Sequence, residues 1–275
     1  MKQIVLSAGI FILLICITAC TPQTKSEHIP LVSGHRGANM IAPENTMASA
    51  DSCIKYGIDY MECDVCISKD SVFYILHDST LNRTTNGTGN IGLWMSNDID
   101  TLDAGIWFGP EFAGQRVPRF ADLLRKAKSS GLKITVDYRS GDLKKLLETI
   151  ETENMTENCC FTFSNEEDAK AFRHIAPNIK TLQAYVNNPN DLNRIVKELH
   201  PNIIVSWIDM LTPQFIEKCH KLNLQVLALA LGHGDKTVEH QKAVDLGVDI
   251  LATDHPEKFV LKYKSQFSSN SLLIK

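Results

Sequence analysis

The chain has 275 residues, 44% hydrophobic and 22% charged, which is ordinary globular composition with room for a sizeable core. Its formal net charge is −4 and it carries no basic run, so it lacks the footprint of a nucleic-acid-binding protein.

Residues 1–19 form a targeting segment. Lys2 gives a short basic start, and residues 4–19 are an apolar run too short to be taken as a spanning helix. The segment ends Ile17-Thr18-Ala19-Cys20, which resembles the bacterial lipoprotein box. The resemblance implies lipidation at Cys20 and an exported protein anchored to a cell-envelope membrane, its domain in the periplasm or at the surface. An ordinary signal peptide cut nearby is the alternative. With Cys20, the polar residues 21–30 form a tether; residues 31–262 are then the main domain and 263–275 a loose tail. Six cysteines follow: Cys53, Cys63, Cys66, Cys159, Cys160 and Cys219. Export allows some of them to pair. Cys63-x-x-Cys66 lies in a strand pattern rather than at a helix start, which argues against a redox role.

The body alternates short apolar runs with amphipathic stretches. Expected strands are Leu31–His35, Asp59–Val65, Leu132–Asp137, Cys159–Ser164, Thr181–Val186, Ile203–Trp207, Gln225–Ala230 and Asp249–Thr253. Helical patterns lie between most of them: Phe120–Ser129, Leu143–Glu151, Glu166–Ile175, Leu192–Leu199, Pro213–Lys221 and Lys236–Leu246. Eight strands separated mainly by helices predict a parallel (β/α)8 barrel. After the second strand, Ser71–His77 looks like an arm folding back. A two-residue turn at Lys69-Asp70 would set Glu62 opposite His77 and Asp64 opposite Ile75. Residues 79–117 are a long excursion rich in Gly, Asn and Asp, too long for a simple connection. Trp94, Trp107 and Phe108 are expected to pack it down. Trp207, closing a strand, is expected in the core, and His174, His200, His220 and His240, on helical patterns or at their ends, in solvent.

The chemistry concentrates between His35 and His77. Glu62 and Asp64, two apart in a strand, point to one face, while Cys63 and Val65 point to the other. Paired carboxylates repel unless one is protonated or a cation lies between them, and an all-oxygen site suits Ca²⁺ or Mg²⁺. Histidines exchange protons near neutral pH. Barrel sites form where strands end, so His35, Arg36, Glu62, Asp64, Asp137 and Arg139 should share one mouth.

In order, the chain carries His35-Arg36-Gly37, Pro43-Glu44-Asn45-Thr46, Glu62-Cys63-Asp64, His77-Asp78 and Leu81-Asn82-Arg83-Thr84-Thr85-Asn86-Gly87-Thr88-Gly89. These motifs resemble those of the glycerophosphodiester phosphodiesterase family. The likeness covers most of residues 31–260 and weakens after residue 130. It implies a TIM barrel of the phospholipase C-like type, with a small cap at the insertion. It implies metal-dependent release of sn-glycerol 3-phosphate and an alcohol from a small glycerophosphodiester. His35 and His77 would be the acid–base pair. Glu62, Asp64 and Asp137 would be metal ligands, and Arg36 would hold a phosphate oxygen, with Arg139 beside it. Glu44 would orient Arg36 or fix its loop, and Asn45 would help start the first helix.

Two departures bear on substrate and activity. The family usually has Glu-x-Lys at the third barrel strand, where this chain has Asp137-Tyr138-Arg139. The late Trp-Thr-x-Asn is replaced by Leu229-Ala230-Leu231-Gly232. Alternatives are therefore a related phosphodiesterase for a lysophospholipid or phosphoinositol headgroup, and a phosphodiester-binding lipoprotein with weakened turnover.

Overall fold

The computed structural model describes residues 28–264. Cys20, most of the tether and all but the start of the tail lie outside the described residues. Nine strands form one sheet: β1 (Leu31–Gly34), β2 (Tyr60–Ile67), β3 (Phe73–Ile75), β4 (Lys133–Tyr138), β5 (Cys159–Phe163), β6 (Gln183–Tyr185), β7 (Ile203–Trp207), β8 (Gln225–Ala230) and β9 (Ile250–Thr253). Eight are parallel in the order β5-β4-β2-β1-β9-β8-β7-β6, and a parallel bridge from Phe161 to Leu182 brings the two ends together. The result is the expected eight-stranded barrel. The chain enters it at Leu31, on the pole opposite the strand ends that form the mouth.

The main helices are α1 (Met47–Tyr56), α2 (Ser96–Ile99), α3 (Phe120–Ser130), α4 (Leu143–Thr152), α5 (Glu166–Ile175), α6 (Leu192–Leu199), α7 (Pro213–Lys221), α8 (Thr237–Leu246) and α9 (Pro256–Phe259). Each expected helix is present within a residue or so, because buried residues recur at helical spacing, as Leu192, Ile195 and Leu199 do in α6. No helix among the described residues is long and apolar enough to cross a membrane.

Alternation along the strands splits the core in two. Outward-facing Met61, Cys63, Val65, Ile134, Val136 and Phe161 pack under the helices. Inside the barrel, Tyr60, Cys160, Ile203, Val205, Leu227, Leu229, Ile250 and Ala252 form a separate plug. All six described cysteines are free and buried, which fits packing and not pairing.

The arm after β2 is antiparallel, as expected, but its register differs. Val65 pairs with Ile75 and Cys66 with Tyr74, and the amide of Leu76 donates to the Asp64 carbonyl at 2.9 Å. Lys69-Asp70 does not form a two-residue turn. Such a turn needs positive φ at residues that tolerate it, and the loop instead spends a third residue, Ser71, at φ 65°. Asp64 therefore falls opposite Leu76, not Ile75, and His77 is not opposite Glu62.

The insertion has its own core, in which Leu81, Ile91, Ile99 and Leu102 pack on Cys66 and Tyr74 of the hairpin. The Tyr74 hydroxyl donates to Asp100 at 2.7 Å, and Asp70 accepts from the amide and hydroxyl of Ser96 at 2.9 and 2.6 Å. Trp94 packs against this core, while Trp107 stacks edge-on to Phe108 with centroids 5.6 Å apart.

Candidate active site

Three carboxylates meet at the barrel mouth. One oxygen each from Glu62, Asp64 and Asp137 can be chosen so that all lie within 4.8 Å of one another. They come from β2 and β4, whose parallel register sets Asp64 beside Asp137. Asp64 has no exposed side-chain surface. Its Oδ1 accepts from Arg139 Nε at 2.8 Å and Nη2 at 2.5 Å, and its Oδ2 accepts from Asn45 Nδ2 at 2.7 Å. Arg139 Nη2 also donates to Asp137 Oδ2 at 2.9 Å. Burial, then repulsion from Asp64 and Asp137, holds the Glu62 carboxyl well above its ordinary value. Burial lifts Asp137 to about 7, with Arg139 opposing and Asp64 reinforcing the rise. Asp137 Oδ1 is buried without a partner. Converging carboxylate oxygens, raised proton affinity and an orphaned oxygen are what a hard divalent cation would relieve, so these residues fit such an ion.

The turn after β1 supplies the next groups. Arg36 and Gly37 sit at φ 55° and 85°, a left-handed pair that aims the Arg36 amide at Glu62 Oε2, 2.6 Å away. Only glycine suits position 37, since a Cβ there would lie 2.5 Å from Ser49 Oγ. The Arg36 guanidinium donates to Glu44 Oε1 at 2.9 Å, and its Nε stands 3.7 Å from Asp64 Oδ2. Asn45 differs from expectation. It is Thr46 that caps α1, accepting from the Ser49 amide, while Asn45, at φ 52°, brackets Asp64 with both ends of its amide. A planar amide can give and accept at once, which a hydroxyl cap on the helix end does not require.

Each histidine has a carboxylate behind it. His35 Nδ1 lies 2.7 Å from Asp254 Oδ1, and Asp254 also accepts from Asn39 Nδ2 and the Gly232 amide, both at 2.7 Å. Burial works against the Asp254 anion, yet the hydrogen bonds from His35, Gly232 and Asn39 hold its carboxyl far below the usual range. His77 Nδ1 lies 2.7 Å from Asp78 Oδ1. Hydrogen bonding from Arg83 is the main reason Asp78 is held down to about 2. Arg83 also donates to Glu44 at 2.7 and 2.9 Å, so a chain of charges runs from His77 through Asp78, Arg83 and Glu44 to Arg36.

A cavity of about 170 Å³ opens beside these groups. His35, Glu62, Asp137 and Arg139 line one side; Val205, Leu227, Leu229 and Leu231 line the other, with Tyr185 and Trp207 at the rim. His77 is not part of this lining, and its described link to the site is the charge chain. Trp207 is 45% exposed and faces the cavity instead of the core, because it stands one pleat beyond the apolar plug at the end of β7. His240, expected in solvent, is 3% exposed; α8 turns it inward to Asp235 and Thr253, at 2.8 and 3.0 Å. Asp235 in turn accepts from the Asp254 amide at 2.5 Å, which fixes the backbone that carries the partner of His35.

The glycerophosphoryl diester phosphodiesterase family profile matches residues 35–258. A glycerophosphodiester phosphodiesterase of Caldanaerobacter subterraneus is 27% identical over 84% of this chain and 96% of its own length. The crystal structure of a glycerophosphodiester phosphodiesterase from Agrobacterium tumefaciens superposes with a TM-score of 0.79 at 33% identity, covering 84% of this chain and 99% of that one. An Oleispira antarctica phosphodiesterase, solved with the product sn-glycerol-3-phosphate, has the same fold, with a TM-score of 0.78 at 23% identity over 87% of this chain and 97% of that one. The barrel thus has its counterpart in a known group of phosphoric diester hydrolases, and the chain belongs to the glycerophosphoryl diester phosphodiesterase family.

Proposed function

We propose that this protein hydrolyses glycerophosphodiesters to sn-glycerol 3-phosphate and an alcohol, using a divalent cation, Ca²⁺ or Mg²⁺, with His35 and His77 as the acid–base pair. The observation that carries this reading is a carboxylate-backed imidazole, His35, sharing one cavity with Glu62, Asp137 and Arg139. Glu62, Asp64 and Asp137 would hold the cation, which when bound neutralises phosphate oxygens.

Asp254 is an anion, so the proton of neutral His35 sits on Nδ1 and the Nε2 lone pair is free. That nitrogen takes the proton of the attacking hydroxyl, either the substrate's own glycerol hydroxyl or water. In the first case a cyclic phosphate forms, which water then opens. His77, with Asp78 stabilising its imidazolium, gives a proton from Nε2 to the leaving oxygen. Arg36, held by Glu44, and Arg139 offer forked donors to the phosphate. The targeting segment and Cys20 support an exported, membrane-anchored protein.

A second reading is a lysophospholipid or other headgroup, favoured by the apolar wall of Leu227, Leu229 and Leu231 opposite the charged side. The test is enzymatic release of glycerol 3-phosphate from glycerophosphocholine and glycerophosphoethanolamine, with Ca²⁺, Mg²⁺ or EDTA. Wild type is run beside His35→Ala and Glu62→Gln. Cation-dependent product, lost in both variants, is expected. Folded wild-type protein that releases nothing with either cation refutes the substrate, and release of choline from lysophosphatidylcholine, with no glycerol 3-phosphate from the two deacylated diesters, selects the second reading.

A further inference from the structure

The Arg139 guanidinium bridges two of the three carboxylates, Asp64 and Asp137. It gives two hydrogen bonds to one oxygen of Asp64, at 2.5 and 2.8 Å, and a third contact to Asp137 at 2.9 Å. The other oxygen of Asp64 is taken by Asn45 at 2.7 Å. Both oxygens of the most buried member of the trio are therefore engaged by protein donors. Asp137 is one methylene shorter than the glutamate usual at this strand in the resembling family, so its carboxylate sits nearer the backbone. The long side chain two residues on fills the space between it and Asp64.

A divalent cation and a guanidinium cannot both lie against the same Asp64 oxygen without strong repulsion. Arginine cannot relieve that repulsion by losing a proton, and its fork is already matched to the two carboxylates. A lysine is a point charge on a flexible stem and gives way more readily. We propose that Arg139 is an internal competitor of the divalent cation at Asp64 and Asp137, one that must leave Asp64 Oδ1 before the cation can bind there. This rests on the cation reading above. Its consequences are a weaker cation site than a lysine would allow, and a guanidinium freed for the substrate phosphate only once the cation has displaced it.

The experiment titrates Ca²⁺ and Mg²⁺ into the chelator-treated full-length chain in detergent, by isothermal calorimetry, for wild type, Arg139→Lys and Arg139→Gln. Both variants are expected to bind at least about tenfold more tightly than wild type. Cation-free Arg139→Gln is also expected to melt below wild type and to gain more from Ca²⁺. If Arg139→Gln does not fold, Arg139→Lys decides. Saturable binding to wild type with equal or weaker affinity in a folded variant overturns the competition alone. No binding to any of the three overturns both the competition and the cation reading.

Discussion

Replacing Asp254 by asparagine should disable His35 while leaving the barrel intact. Three donors converge on this carboxylate: His35 Nδ1 and Asn39 Nδ2 on one oxygen, and the Gly232 amide on the other, each at 2.7 Å. Asparagine has a single oxygen, so one side must meet an amide NH₂. If the oxygen stays with Gly232, the NH₂ faces His35 Nδ1, which becomes the acceptor. The proton then moves to Nε2, and the ring can no longer act as a base. General-base catalysis is worth about 10²–10⁴-fold, or roughly 3–5 kcal/mol of barrier. The loss of charge-assisted bonds should cost stability only about 1.5–3 kcal/mol. The assay is kcat for glycerol 3-phosphate release from glycerophosphocholine, with urea unfolding alongside. A fall of about 10²-fold or more is expected in kcat, and almost no further fall when His35→Ala is already present. A folded Asp254→Asn enzyme within about threefold of wild-type kcat would show that His35 does not depend on this partner.

Arg83→Ala cuts the connection between Asp78 and Glu44, so kcat should drop about tenfold; because Arg83 is exposed, urea stability should change by less than about 1 kcal/mol. In chelator, Asp137 should make the protein less stable as pH rises. Its ordinary carboxyl value of 3.8 is lifted to about 7 in the fold, so the native state holds the extra proton between those values and loses that advantage on ionisation. The urea stability of wild type relative to Asp137→Asn should therefore decline from about pH 4 to about pH 7, by at most about 4 kcal/mol; a difference that rises over that range contradicts the assignment. Phe172 is fully buried against Phe161 and Phe163, with centroids 4.6 and 5.1 Å away, and Phe172→Ala should cost about 3–5 kcal/mol by the same measurement.

Much of the barrel was legible because its signals are local. A period of two along β2 sends Glu62 and Asp64 inward and Cys63 and Val65 outward, and apolar residues at helical spacing mark α5, α6 and α7. What escaped depends on parts of the chain far apart in sequence. Asp254 meets His35 across 219 residues, and nothing near either residue announces the pairing. The resemblance implied a helix-starting role for Asn45, but its partner, Asp64, stands 19 residues later. His240 has the surroundings of a solvated helix residue until Asp235 and Thr253 are brought to it. The hairpin register turned on one residue, Ser71, taking a positive φ, and Trp207 on where the apolar plug stops within the barrel.

The entry of the chain at Leu31, on the pole opposite the mouth, has a consequence for orientation. With a lipid on Cys20, the leash to the barrel is the ten residues 21–30, which extend at most about 33–36 Å. Because that leash joins the barrel at the pole away from its mouth, it would leave the opening unobstructed and free to face the aqueous compartment. A doorway left clear of its own tether would be open to what has already left the membrane, the water-soluble remains of deacylated lipids.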